Sequence, residues 1–203
     1  MIDAKRLTET FLELLEIDSP SGREAAAAAD SCRRLTALGA EASFDSASSV
    51  VEGDCSNLIA RFSTPHTVLE APPVLLSAHL DTVSAGTGIQ AVQEGDIVRS
   101  DGTTILGGDD KAGIAIILEV LTVAVQQELA LPPLEIILTV SEERGILGAL
   151  ALDPSAIKSR RGIVFDASGP AGNIVIRAPY QNSISCLFTG RAAHAGIEPE
   201  NGN

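Results

Sequence analysis

Val74-Leu75-Leu76-Ser77-Ala78-His79-Leu80-Asp81 reads as an apolar strand that ends in an imidazole and a carboxylate. The run from Val74 to Ala78 does not alternate, as expected of a strand covered on both faces. Pro72-Pro73 introduces it. The same pattern recurs downstream. Pro132-Pro133 leads into Leu134 to Val140, a second buried strand, which runs into Ser141-Glu142-Glu143. A strand predicted over Arg161 to Asp166 carries Gly162-Ile163-Val164-Phe165 and stops at an acid, Asp166. Between them, Gly107-Gly108-Asp109-Asp110-Lys111 opens a long helix predicted from about Lys111 to Gln127.

Working outward, Leu7, Phe11, Leu14 and Leu15 stand at helical spacing among Glu9, Glu13 and Glu16, which predicts an amphipathic helix from about Asp3 to Glu16. A turn over residues 18–22 follows. Ser21 with Glu24 has the spacing of a capping box for a second helix through Ala25 to Ala29, stopped by Gly39. Phe44 to Gly53 reads as strand and loop, and Asn57 to Phe62 as a strand. A short helix is expected near Ile146 to Leu150. This alternation predicts an α/β fold: a largely parallel sheet sandwiched by helices, with ligands at the carboxyl ends of its strands. The pattern shifts after Asp166, where Asn173 to Arg177 and Ser183 to Thr189 read as strands with no helix between them. A boundary is placed near Pro179, giving a first domain over 1–178 and the start of a second over 179–203.

Composition excludes several partners. The 203 residues are 45% hydrophobic and only 3% aromatic, so the core is expected to be built from Ala, Val, Ile and Leu. The net charge of −13 argues against nucleic acid or an anionic membrane as partner, since both require a basic face. No apolar run approaches the ~20 residues of a membrane span. The three cysteines, Cys32, Cys55 and Cys186, are odd in number and widely spaced, and the N-terminal segment reads as a helix and not a leader. A reducing, cytoplasmic setting is expected.

Four polar clusters therefore meet at one edge of one sheet. Like charges brought together raise one another's pKa and destabilise the fold unless cations neutralise them. Hard oxygen ligands with one imidazole suit divalent zinc, manganese or cobalt. In extended backbone, residues 79 and 81 point to the same side, so Asp81 can accept from the ring nitrogen of His79 that does not hold a metal. Of the adjacent Glu142 and Glu143, one can bind metal while the other serves as general base to an activated water. Taken singly, each cluster has a plainer reading: a hydrogen-bonded histidine, a solvated acidic loop, or a glycine turn that caps a helix or cradles a phosphate. The reading rests on the four together.

Residues 77–83 (Ser-Ala-His-Leu-Asp-Thr-Val), 100–106 (Ser-Asp-Gly-Thr-Thr-Ile-Leu), 107–113 (Gly-Gly-Asp-Asp-Lys-Ala-Gly), 141–145 (Ser-Glu-Glu-Arg-Gly), 165–167 (Phe-Asp-Ala) and 190–196 (Gly-Arg-Ala-Ala-His-Ala-Gly) resemble the M20 family of metallopeptidases, in that family's order and over nearly the whole chain. The peptidase T-like (tripeptidase-like) branch is the most similar. The resemblance implies a zinc-exopeptidase-like catalytic domain followed by the first strands of an α+β lid, or dimerisation, domain. It implies two divalent metal ions, zinc foremost and manganese or cobalt as alternatives. His79 and Asp166 would hold one metal, Asp109 would bridge both, and Glu143 would hold the second. Asp81 would orient His79 and Glu142 would be the general base. His194 would help bind the substrate or its oxyanion, and the Asp109–Asp110 peptide bond would be cis. The implied activity is removal of N-terminal residues from short peptides by a metal-activated water, in a homodimer formed through the lid. Two alternatives stand beside it: an amidohydrolase or deacylase of N-acyl amino acids, and a non-catalytic metal-binding fragment. The family's last histidine ligand and most of its lid have no counterpart here, so the chain is expected to be a truncated piece, inactive alone.

Overall fold

The structure is a computed structural model, and it describes residues 1–178, 182, 184–187 and 189–202. The chain divides into two compact units, 1–168 and 169–203. The first holds a five-stranded sheet in the order β1-β2-β6-β3-β7: β1 Glu41–Phe44, β2 Leu58–Phe62, β3 Val74–His79, β6 Leu134–Thr139 and β7 Gly162–Val164. The sheet is mixed. β6, β3 and β7 run parallel, while β1 and β2 add antiparallel pairings at one side. The parallel part matters most for the chemistry, because three parallel neighbours deliver their carboxyl ends to one edge. A separate hairpin, β4 Ala91–Glu94 and β5 Ile97–Ser100, turns at Gly95-Asp96. That hairpin was not expected from the sequence, where its four-residue strands carry little apolar pattern.

The mainly apolar runs become the centre of the sheet. Every residue of β6 is buried, and in β3 Leu76, Ala78 and His79 are. The helices are α1 Ala4–Leu15, α2 Ala25–Ala37, α3 Gly108–Gln126 and α4 Leu147–Ala151. α3 packs on β3, α1 packs on α3, and α2 lies against β1, β2 and α3. Their contact is mainly apolar, with Leu14, Leu35, Ile114, Ile117, Leu118 and Leu121 joining Leu58, Leu76, Ile136 and Leu138 in one core, and one buried ion pair, Arg6 of α1 with Glu119 of α3 at 2.7 Å, ties two helices. At ~25 cal/mol per Å² of buried apolar surface, this shared core is the main stabilising term.

Two expectations need correction. The Ser21–Glu24 capping box does not form: Glu24 occupies the N-cap of α2 without a side-chain cap bond. The N–H of Ala25 is instead accepted by Asp54 Oδ1 at 2.9 Å. Both expected box residues are drawn to partners on other elements, described below. In the second unit, residues 173–178 form no strand, and Ile174, Val175 and Ile176 are exposed. A β-rich sequence needs a neighbouring strand to become one, and none pairs with this stretch among the described residues. The Ser183–Thr189 expectation and the boundary at Pro179 fall partly or wholly outside the described residues.

Candidate metal centre

Each candidate side chain in the first unit is placed by the end of an element. His79 is the last residue of β3, and the Leu80 N–H that follows still bonds to Thr139 O of β6 at 2.8 Å. Glu142 and Glu143 come just after β6, past Ser141, whose φ is +50°. Asp166 follows β7 by two residues. Asp109 lies in the first turn of α3, where Gly107 takes φ +69° and the Asp109–Asp110 peptide bond is cis, as the family resemblance implies. Gly107 and its neighbours serve this entry sterically as well: a Cβ there would come within 2.8 Å of Ile89 Cδ1.

These ends converge. One donor atom each from His79, Asp109 and Asp166 lies within 4.8 Å of the others, and so does one each from His79, Glu142 and Glu143. His79 is common to both groups and is 2% exposed, whereas the Asp109 side chain is 69% exposed. The centre is thus an open acidic rim around a buried imidazole. His79 Nε2 lies 3.0 Å from Asp109 Oδ1. On the opposite side of the ring, Nδ1 lies 3.4 Å from Asp81 Oδ1, an ion-pair distance without hydrogen-bond alignment.

Asp81 is fully buried and ties the site together. Its Oδ1 accepts the backbone N–H of Glu142 at 2.9 Å, and its Oδ2 accepts that of Glu143 at 3.1 Å and the hydroxyl of Ser21 at 2.6 Å. Ser21 reaches it because the 18–22 loop bridges to Thr82, with the Thr82 N–H bonded to Ser19 O at 2.9 Å. Asp110 does the same from the α3 side. It accepts the His79 backbone N–H at 3.2 Å and the Gly113 N–H at 3.1 Å. Gly113 has no room for a side chain, since a Cβ would fall 2.3 Å from Asp110 Oδ1. Lys111, also buried, donates from Nζ to the carbonyl of Ile17 and anchors the first turn of α3 to the end of α1. Reading the sequence assigned no site role to Ser21, Glu24 or Asp110. Their signal was a short-range capping pattern for the first two and mere adjacency to Asp109 for the third.

The electrostatics follow from this crowding. Burial works to lower the His79 ring, but the neighbouring Asp81, the charge of Asp110 and the contact with Asp109 overcome it and push it up to about 10. Burial works to raise Asp81, while His79, Ser21 and the two backbone N–H groups hold it below the usual carboxylate range. Burial raises Asp110 to about 7, aided by the charge of Asp166 and opposed by His79. Glu142, Glu143 and Asp166 are all raised, first by burial and then by neighbouring carboxylates, Asp81 in every case, and each is relieved by His79. A divalent cation would relieve this crowding of like charges, because the donor set of one imidazole and several carboxylates is the kind that holds zinc, manganese or cobalt. The residues present fit such an ion.

Two cavities flank the centre. One of about 250 Å³ is lined by Asp109, Asp110, Phe165 and Asp166, and one of about 480 Å³ by Ser21, Thr82, Val83, Glu143 and Arg144. His194 stands in the second unit, exposed, with its Nδ1 accepting the Gly196 N–H at 3.2 Å. Among the described residues, no helix is long and apolar enough to cross a membrane.

The chain is similar in sequence and fold to known proteins. Residues 57–195, which contain every candidate ligand, match peptidase family M28. The chain belongs to that family. It is 39% identical over its whole length to the Bacillus subtilis protein YqjE, covering 54% of that relative. It superposes with a TM-score of 0.84 on an aminopeptidase PepT from Bacillus cereus, at 33% identity over 99% of this chain and 53% of that one. It superposes with a TM-score of 0.79 on a tripeptidase from Staphylococcus aureus, at 36% identity over 83% of this chain and 45% of that one. The chain spans about half the length of the relatives it matches. Its fold is that of the zinc-exopeptidase catalytic domain. The family matched is M28 while the motifs resemble M20; both readings place the chain among peptidases, and the finer assignment rests on the motifs.

Proposed function

We propose that this chain is the metal-binding part of an aminopeptidase of the M20 peptidase T-like branch, which removes N-terminal residues from short peptides. The observation that carries the reading is the convergence of His79, Asp109, Glu142, Glu143 and Asp166 beyond the carboxyl ends of three parallel strands and the start of one helix. The printed names of the two structural relatives, an aminopeptidase PepT and a tripeptidase, support it. In this reading His79, Asp166, Asp109 and Glu143 would hold two divalent ions, Asp109 being shared between them, with zinc the simplest choice. When bound, such ions supply Lewis acidity that acidifies water and polarises a scissile carbonyl.

The chain's own residues do the rest. Asp81 keeps the His79 ring oriented with Nε2 toward Asp109, and through the two N–H groups it fixes the backbone that presents Glu142 and Glu143. Glu142 takes the proton of the attacking water and returns it to the leaving amine; its raised pKa suits a group that must do both. His194, on the resemblance, assists at the substrate oxyanion, in a cytoplasmic homodimer assembled through the lid. Neither nucleic acid nor membrane is a partner.

The test is Glu142→Gln in the full-length protein, assayed on unblocked tripeptides beside N-acyl amino acids. The expected result is hydrolysis of the tripeptides, reduced at least ~10²–10⁴-fold by the substitution, with metal stoichiometry unchanged. Preference for the N-acyl substrates would replace the aminopeptidase reading with a deacylase. Unchanged kcat would remove Glu142 from its role.

A further inference from the structure

A second group of metal-type donors lies apart from the His79 centre and shares no residue with it. One oxygen of Glu24, one of Asp54 and the Sγ of Cys55 lie within 4.8 Å of one another. Glu24 is fully buried at the N-cap of α2, Cys55 is half-buried and Asp54 is exposed, so the group opens to solvent on the Asp54 side. The loop that carries Asp54 and Cys55 is fastened to the 22–24 turn: Asp54 N–H bonds to Gly22 O at 3.2 Å.

Both carboxylates are held from behind. Asp54 Oδ1 accepts the Ala25 N–H at 2.9 Å. Glu24 Oε1 accepts the Gly22 N–H at 2.8 Å, the Ser141 N–H at 3.0 Å and the Ser141 hydroxyl at 3.2 Å. Glu24 Oε2, by contrast, is buried without a hydrogen-bond partner among the described residues. A buried, bare carboxylate oxygen costs ~1–3 kcal/mol or more if nothing meets it. Ligating carboxylates are characteristically oriented by hydrogen bonds to their other oxygen, which is the arrangement here.

We propose that Glu24, Asp54 and Cys55 form a separate site for a borderline-soft divalent cation such as zinc. Two carboxylate oxygens and one thiolate are an ordinary partial donor set for such an ion, with water completing it. Burial, with the charges of Glu24 and Asp54, pushes the Cys55 thiol up to about 12. Without a cation the thiol keeps its proton. Binding therefore exchanges that proton for the ion and releases it to solvent. Magnesium and calcium, which take oxygen ligands, would not gain from the sulfur.

The test is a cobalt(II) titration of this chain, because thiolate gives a near-ultraviolet charge-transfer band with cobalt that imidazole and carboxylates do not. The expected result is such a band, its saturated intensity corresponding to one thiolate-bound cobalt per chain, whatever further cobalt the His79 centre takes up. It should vanish in Cys55→Ser and persist in the Cys32→Ser/Cys186→Ser double variant. It should also persist in Asp109→Ala, which disables the His79 centre. Absence of the band at saturating cobalt, its survival in Cys55→Ser, or its loss in Asp109→Ala would each overturn the site. Should Cys55→Ser not fold by circular dichroism, Asp54→Asn decides. It keeps an acceptor for the Ala25 N–H but loses the charge, and cobalt affinity should drop beyond the ~10–100-fold typical of outer-sphere changes. Unchanged affinity there would also overturn it. None of these readings depends on peptidase activity.

Discussion

At the scale of single residues, Asp81 is tightly constrained. Its two oxygens are accepting from three donors while it faces an imidazole, all at zero exposure. Asp81→Asn is isosteric, yet its amide NH₂ must face a donor in either orientation: the Glu142 N–H on one side, or the Glu143 N–H and Ser21 hydroxyl on the other. Each buried donor left unmet costs ~1–3 kcal/mol. The expected outcome is a loss of unfolding free energy of about that size, read as a lower urea midpoint, together with weaker zinc binding because His79 loses its counter-charge. Urea unfolding and calorimetric zinc titration of the variant check both. An unchanged midpoint would mean that Asp81 does not hold the Glu142–Glu143 backbone.

At the scale of elements, β6 is the organising strand, buried at every position and paired antiparallel with β2 and parallel with β3. Ile136 at its middle is 0% exposed, so Ile136→Ala should cost ~2–5 kcal/mol through lost burial and the cavity left behind, read as a drop in urea midpoint. At the opposite end of the same strand, Glu135 accepts the Lys158 N–H at 2.9 Å and the Ser159 N–H and hydroxyl at 2.7 Å each. Burial works to raise this carboxyl, but the Ser159 and Lys158 bonds, with the charge of Arg61, hold it below the ordinary glutamate range. A carboxyl depressed in the folded state stabilises the fold above its unfolded pKa, ~4.3, and that stability is lost as pH falls through the lower folded value. Urea midpoints measured between about pH 6 and pH 3 should therefore decline in the wild type and decline less steeply in Glu135→Gln. Parallel profiles for the two proteins would contradict the assignment.

At the scale of the whole molecule, the two compact units differ in how they are held. Residues 1–168 share a core and a sheet. Residues 169–178 are exposed throughout and carry no helix or strand. Exposed backbone of that kind is where proteases cut first. Brief trypsin treatment should cleave after Arg177, leaving an N-terminal fragment whose circular dichroism and cooperative thermal transition match those of the uncut chain. First cleavage inside 1–168, or loss of the transition on cutting at Arg177, would show that the first unit does not stand alone. Zinc should raise the same transition, since a ligand bound only by the folded state stabilises it by ~2.7 kcal/mol at a hundred times its Kd.

The sequence by itself determined the parallel strands and the identity of the acidic rim. Mainly apolar runs such as Leu134 to Val140, introduced by prolines, fit strands covered on both faces, and a histidine or acid placed after such a run emerges at the carboxyl edge. That local rule brought His79, Glu142, Glu143 and Asp166 to one edge; Asp109 joined them from the start of a helix. The tertiary structure alone decided what supports them. Ser21 and Glu24 lie three residues apart and look like a helix cap, yet their side chains bond to Asp81 and Ser141, 60 and 117 positions away. Nothing in a short window ranks a cap bond against a distant one; the choice depends on which donors the folded chain brings within 3 Å. The hairpin at 91–100 was invisible for a similar reason, since its strands stabilise each other and not the core. The strand expected at 173–177 failed conversely: a β-prone sequence states a preference, and only a neighbouring strand can satisfy it.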